Sequence, residues 1–112
     1  MKNATIQYED FAKLELLIGE IKHVDEVTDS KKLLLLRVDL GKEYGEVEIL
    51  SGIKGYASPD ELINHKFIFL ANLEPKNMAG KTSHGMLIAG NGEEKPILIP
   101  VSSELANGLI LC

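Results

Sequence analysis

Three histidines, His23, His65 and His84, are the side chains best suited to acid–base chemistry or metal ligation in this sequence. They are scattered, and none stands at metal-ligand spacing from a Cys, Asp or Glu partner. The carboxylate pairs Glu46/Glu48 and Glu93/Glu94 read as solvated charge. No glycine-rich phosphate loop joins a strand to a helix, and no nucleophile elbow is present. The single cysteine, Cys112, is the last residue, reads as an exposed terminal thiol and has no internal partner for a disulfide. The residues able to do chemistry therefore point to binding. No catalytic residue, no metal and no cofactor is expected.

The elements that must position any binding residue are mostly strands. Leu14, Leu16 and Ile18 alternate with Glu15, Leu17 and Gly19, and Ile21 and Val24 continue beside Lys22 and Asp25. This period of two predicts a long strand over about 14–27. Its phase changes between Ile18 and Ile21, so a bulge or bend is expected at Gly19. After turn residues Thr28-Asp29-Ser30, a second strand is predicted over Leu33–Leu40, with Leu33 to Leu36 apolar on both faces. A third covers Glu46–Leu50, Val47 and Ile49 inward and Glu46 and Glu48 outward. Ser58-Pro59-Asp60-Glu61 has the pattern of a capping box with proline at the first helical position, so a short helix is predicted from Pro59 to about Asn64. A fourth strand over Lys66–Leu70, a loop over Glu74–Thr82 and a fifth strand over Met86–Ala89 follow. Ile97-Leu98-Ile99 and Leu109-Ile110-Leu111 read as short tail strands. Three strands, a short helix and two strands is the order of the five-stranded OB barrel. Small barrels of SH3 type have five short strands without that helix.

The chain has 112 residues, which predicts one domain over 1–112, with a core at about 10–89 and a C-terminal extension at about 90–112. Its 45% hydrophobic and 26% charged residues are those of an ordinary globular protein. No apolar run approaches the roughly 20 residues of a membrane span. The polar stretch Met1 to Asp10 lacks the apolar core of a secretory leader. With the lone cysteine, this predicts a cytoplasmic location. The formal net charge is −5, whereas phosphate binding usually leaves a basic footprint. Local clusters must then carry any contact with nucleic acid.

Three segments stand out: Ser30-Lys31-Lys32-Leu33-Leu34-Leu35-Leu36-Arg37-Val38-Asp39-Leu40-Gly41, Ser51-Gly52-Ile53, and the run from Ala71 through Asn72, Pro75, Lys76, Gly80, Lys81, Ser83 and Met86 to Ala89. In this order, and with Tyr56, Pro59, Glu61 and Leu62, they resemble the tRNA-binding domain family. That family includes the C-terminal domain of bacterial methionyl-tRNA synthetase, free-standing tRNA-binding proteins and the endothelial monocyte-activating polypeptide module. The resemblance covers about Asp10 to Ala89. It implies an all-β OB barrel with a C-terminal extension, usually homodimeric, that grips tRNA near its outer corner. An aminoacyl-tRNA synthetase is a further implied partner.

On that resemblance Lys32 opens the second strand and meets a phosphate as a point charge. Lys76 and Lys81 lie on the loop beside the same face. Asn72 hydrogen-bonds backbone or base edges, Ser83 donates to a phosphate or 2′-hydroxyl, and Met86 offers a soft apolar surface. The sequence departs from the family's common pattern at Asp29-Ser30-Lys31-Lys32, at Glu74 to Ala79 and at His84. Across Glu74 to Lys81 the charge is +1, from Lys76 and Lys81 less Glu74. An export-related chaperone of the same fold binds unfolded polypeptide, and Met78 and Met86 would suit that role. Lys32-Leu33-Leu34 followed by Val38-Asp39-Leu40-Gly41 matches the tRNA-binding branch instead. A third reading is a docking subunit that joins a synthetase and raises its tRNA affinity by avidity.

Overall fold

β1 (Leu16–Glu26) is the strand around which the sheet is built. In the computed structural model, which describes residues 2–112, its first half pairs antiparallel with β4 (Lys66–Leu70) and its second half with β2 (Leu34–Asp39). β3 (Glu46–Ser51) pairs with β2, and the short β7 (Met86–Leu87) pairs with β4. The order β3–β2–β1–β4–β7 is a five-stranded antiparallel sheet. Two bonds bring its ends together: His84 N–H donates to the Glu48 carbonyl at 2.8 Å, and Leu50 N–H donates to Ser83 Oγ at 2.9 Å. The sheet is thus a nearly closed OB barrel. α1 (Tyr8–Ala12) precedes it, and α2 (Pro59–Leu62) lies between β3 and β4 as the capping pattern predicts. Glu61 reaches back to accept the Ser58 N–H at 3.0 Å.

Period-two alternation fills the barrel. Leu34, Leu36 and Val38 of β2, Ile49 of β3, and Phe67 and Phe69 of β4 point inward and are buried with Leu17 and Ile21 of β1. The inward set of β1 is therefore Leu17, Gly19 and Ile21. The expected bulge at Gly19 is displaced. The register is continuous from Leu16 to Glu20 against β4, and it shifts between Ile21 and His23 against β2. Gly19 serves another purpose. A Cβ there would stand 2.7–2.8 Å from Leu40, Phe69 and Val38 side chains, so the absent side chain lets the core close over β1. Ile18 is buried too, on the other face, so apolar residues occupy both phases.

Leu35 and Leu50, on the outward phase of β2 and β3, form a second apolar cluster with Val27, packed by Leu33 and Met78. What covers it is not an open loop. Residues 76–83 fold as a hairpin of β5 (Lys76–Met78) and β6 (Lys81–Ser83), turning at Ala79 and Gly80 with φ of 50° and 78°. Positive φ at both central residues is the turn that matches strand twist. β8 (Gly90–Asn91) and β9 (Pro96–Ile97) form a second small hairpin. The tail then returns to the barrel. Gly108 N–H donates to the Ile18 carbonyl at 2.7 Å, Ile18 N–H to Leu109 at 2.9 Å, and Leu111 N–H to Leu16 at 2.8 Å. Asn107 Nδ2 donates to Glu20 at 3.1 Å and to Asp39 at 3.2 Å. The Asn107 bond, with Lys22 and Lys66 nearby, holds the Glu20 carboxyl below the usual range against the opposing effect of burial. Among the described residues no helix is long and apolar enough to cross a membrane.

Candidate nucleic-acid interface

Ser30 shapes the loop between β1 and β2. Its hydroxyl oxygen accepts the N–H groups of Lys32 at 3.2 Å and Leu33 at 3.0 Å. Lys54 N–H donates to the Lys32 carbonyl at 3.1 Å, which ties the loop to the segment after β3. Lys32 is exposed in this loop, two residues before β2 begins, rather than on the strand. Leu33 beside it turns into the second apolar cluster.

The hairpin reaches the same cluster from the other side. Its register pairs Lys76 with Ser83 and Met78 with Lys81, and directly opposed residues share a face. Lys76, Met78, Lys81 and Ser83 therefore lie on one face, and Met78 packs on the cluster. The other face carries Thr82, whose hydroxyl donates to Asn77 Oδ1 at 2.6 Å. Met78 of the hairpin and Leu33 beside Lys32 pack on the same buried cluster, which ties both loops to it. A cavity of about 220 Å³ opens between hairpin and barrel, lined by Leu50, Leu73, Glu74, Lys76, Met78, Ser83, Gly85 and Met86. Met86 also borders a neighbouring groove formed with Ser51, Gly52 and Ile53.

Two of the candidates have other work. Ser83 is buried, accepts the Leu50 N–H at 2.9 Å and donates to the Gly85 carbonyl at 3.1 Å. Both of these bonds lie inside the barrel. Asn72 accepts the Glu15 N–H at 2.9 Å and donates to the Lys13 carbonyl at 2.7 Å. It clamps the chain entering β1 to the chain leaving β4. Lys32, Lys76, Lys81 and Met86 are exposed.

The electrostatics divide the basic residues into two kinds. Lys54 is ion-paired with Glu26 at 2.8 Å, and that bond and charge keep the Glu26 carboxyl below the usual range. Arg37 faces Glu48 at 3.6 Å. Among the described residues Lys31, Lys32, Lys76 and Lys81 have no carboxylate partner. Arg37 was absent from the candidates read from sequence. With Leu34, Leu36 and Val38 inward, Arg37 points out from β2. Among the described residues no group of three or more His, Cys, Asp or Glu side chains is placed to hold a metal ion.

Proteins of known identity resemble this chain in sequence and in shape. The methionine–tRNA ligase of Methanococcus aeolicus is 40% identical over 111 residues, which cover 99% of this chain and 16% of the ligase. The chain thus spans about a sixth of that relative's length. A methionyl-tRNA-synthetase-related protein of Pyrococcus horikoshii superposes with a TM-score of 0.90 at 37% identity, covering 98% of this chain and all of the other. The CsaA chaperone protein of Picrophilus torridus superposes with a TM-score of 0.88 at 27% identity, covering 96% and 100%. The family described as "Putative tRNA binding domain" matches residues 16–109, from the first residue of β1 to the tail that docks beside it. The barrel strands and both hairpins fall within that span, and the chain belongs to the tRNA-binding domain family.

Proposed function

We propose that this chain binds tRNA through phosphate contacts and overall shape, and carries no catalytic step itself. The observation that carries the reading is the common anchorage of two loops. Met78 and Leu33 pack on one cluster, which ties together two loops that each carry lysines without a carboxylate partner among the described residues. Lys32, Lys76 and Lys81 are the phosphate contacts in this reading, and Met86 is the apolar contact beside them. Asn72 and Ser83 act from behind, the first holding the β4 exit and the second closing the barrel under the hairpin. In the ligase relatives this module is a small share of the length, so the reading gives the chain the tRNA-gripping part and assigns aminoacylation elsewhere. An aminoacyl-tRNA synthetase is the natural protein partner, and the cytoplasm the natural location.

The working unit of this reading is a homodimer. α1 buries none of its residues, and Ile6 and Tyr8 are 64% and 76% exposed. Leu14, Leu109 and Ile110 add exposed apolar surface where the chain enters β1 and the tail docks. A second copy would cover such surface symmetrically.

One observation favours polypeptide as an alternative ligand: the cavity under the hairpin has Leu50, Leu73, Met78 and Met86 in its walls. Competition separates the two. Labelled tRNA is bound to the chain at low salt, and a denatured polypeptide or unlabelled tRNA is added. Displacement by tRNA alone supports the tRNA reading. Tight binding of the polypeptide with no tRNA bound would replace it.

A further inference from the structure

Arg37 is the single arginine of the chain. It stands on the outward phase of β2, one strand step of about 7 Å beyond Leu35, which the Met78 hairpin covers. Directly across the ladder is Glu48. The two side chains meet through one contact, Nη2 to Oε2 at 3.6 Å, and are 50% and 43% exposed. A single long contact in water uses little of a guanidinium, which has five donors in a fork suited to two oxygens at once. The hairpin exits beside this pair, because His84 N–H donates to the Glu48 carbonyl at 2.8 Å. Beyond the pair the face turns acidic. Asp39 and Glu46 oppose each other, and Asp39 is occupied by the Gly41 N–H and Asn107 Nδ2. Arg37 thus stands between the hairpin and these carboxylates, where Lys22 is already paired with Glu20 across from Asp39.

We infer that Arg37 binds a tRNA backbone phosphate and that Glu48 is its internal competitor. This rests on the tRNA reading above. In the free protein the Glu48 carboxylate holds the guanidinium; in the complex a phosphate replaces it with two parallel charge-assisted bonds. The Glu48 charge then faces the polyanion unpaired. The low positive charge of this face is therefore a matter of self-competition as well as of missing lysines.

The test is a double-mutant cycle on the intact chain, with one tRNA transcript titrated at several salt concentrations. Glu48→Gln keeps the size of the side chain and removes the competitor. It should tighten binding by about two- to fivefold, the scale set by an exposed ion pair, and steepen the salt dependence. Arg37→Ala should weaken binding, and Glu48→Gln should add little in the Arg37→Ala background. Arg37→Lys should recover part of the loss, as a point charge without the fork. Urea midpoints measured in parallel show that each variant is folded. Two results overturn the inference: Arg37→Ala binding tRNA as wild type does, or an equal gain from Glu48→Gln with and without Arg37. Lys32→Ala, run alongside, keeps the two readings apart. If it weakens binding while Arg37→Ala does not, Arg37 is excluded and the tRNA reading stands.

Discussion

Ser83 has one hydroxyl, and the barrel uses it both as acceptor from Leu50 and as donor to Gly85. Ser83→Ala should leave the Leu50 N–H buried without a partner and cost about 1–3 kcal/mol. Urea unfolding checks this. Salt-dependent tRNA affinity of the folded variant should stay close to wild type, because the lysines remain. Sequence could not separate this role from RNA contact, since a serine hydroxyl serves backbone and phosphate equally well. Asn72 was ambiguous for the same reason. The exposure of Lys32, Lys76 and Lys81 was legible, because a charged amine on a loop stays in water. Tyr44 gives a test at high pH. Its hydroxyl donates to Glu15, and that bond, with burial and the Glu15 and Glu43 charges, pushes its pKa up to about 12. The folded chain then holds a proton that the unfolded chain releases near the ordinary value of 10.0. The stabilisation is complete below that ordinary value and is lost as pH rises through about 12. Urea midpoints of wild type should fall across that window more steeply than those of Tyr44→Phe.

β1 shows what period two cannot decide. Leu16, Leu17 and Ile18 are apolar in succession, so either phase could face the core, and packing chose Leu17, Gly19 and Ile21. Gly19→Ala should therefore overpack the barrel against Leu40, Phe69 and Val38, at a cost of about 1–3 kcal/mol. Calorimetric or urea unfolding tests it, and an unchanged midpoint would count against the close approach. The strands and α2 were legible because alternation and a capping pattern are local signals. The β5–β6 hairpin was not. Each strand is three residues long and largely polar, and its turn begins at Ala79, a residue that rarely adopts positive φ. Tertiary anchoring through Met78, which no local pattern announces, makes it a hairpin.

For the whole molecule, a net charge of −5 and an anionic ligand are compatible because the charge is not evenly used. Carboxylates pair with Lys22, Arg37 and Lys54, while among the described residues Lys31, Lys32, Lys76 and Lys81 have no carboxylate partner and are exposed. The C-terminal extension is part of the fold, docked on β1 by backbone bonds and by Asn107. Light scattering at micromolar concentration should give twice the chain mass, and a monomer would remove the homodimer. Phosphate recognition itself is read by equilibrium binding of one tRNA transcript between about 50 and about 200 mM salt. Three lysine contacts per protomer predict a log–log slope of roughly −2 to −3, steeper by up to about one unit when Arg37 takes part. Lys32→Ala should reduce the slope by about one unit, and Glu74→Lys with Asn77→Lys should steepen it. No binding at low salt, by wild type or by the lysine-restored chain, would contradict tRNA recognition by this face.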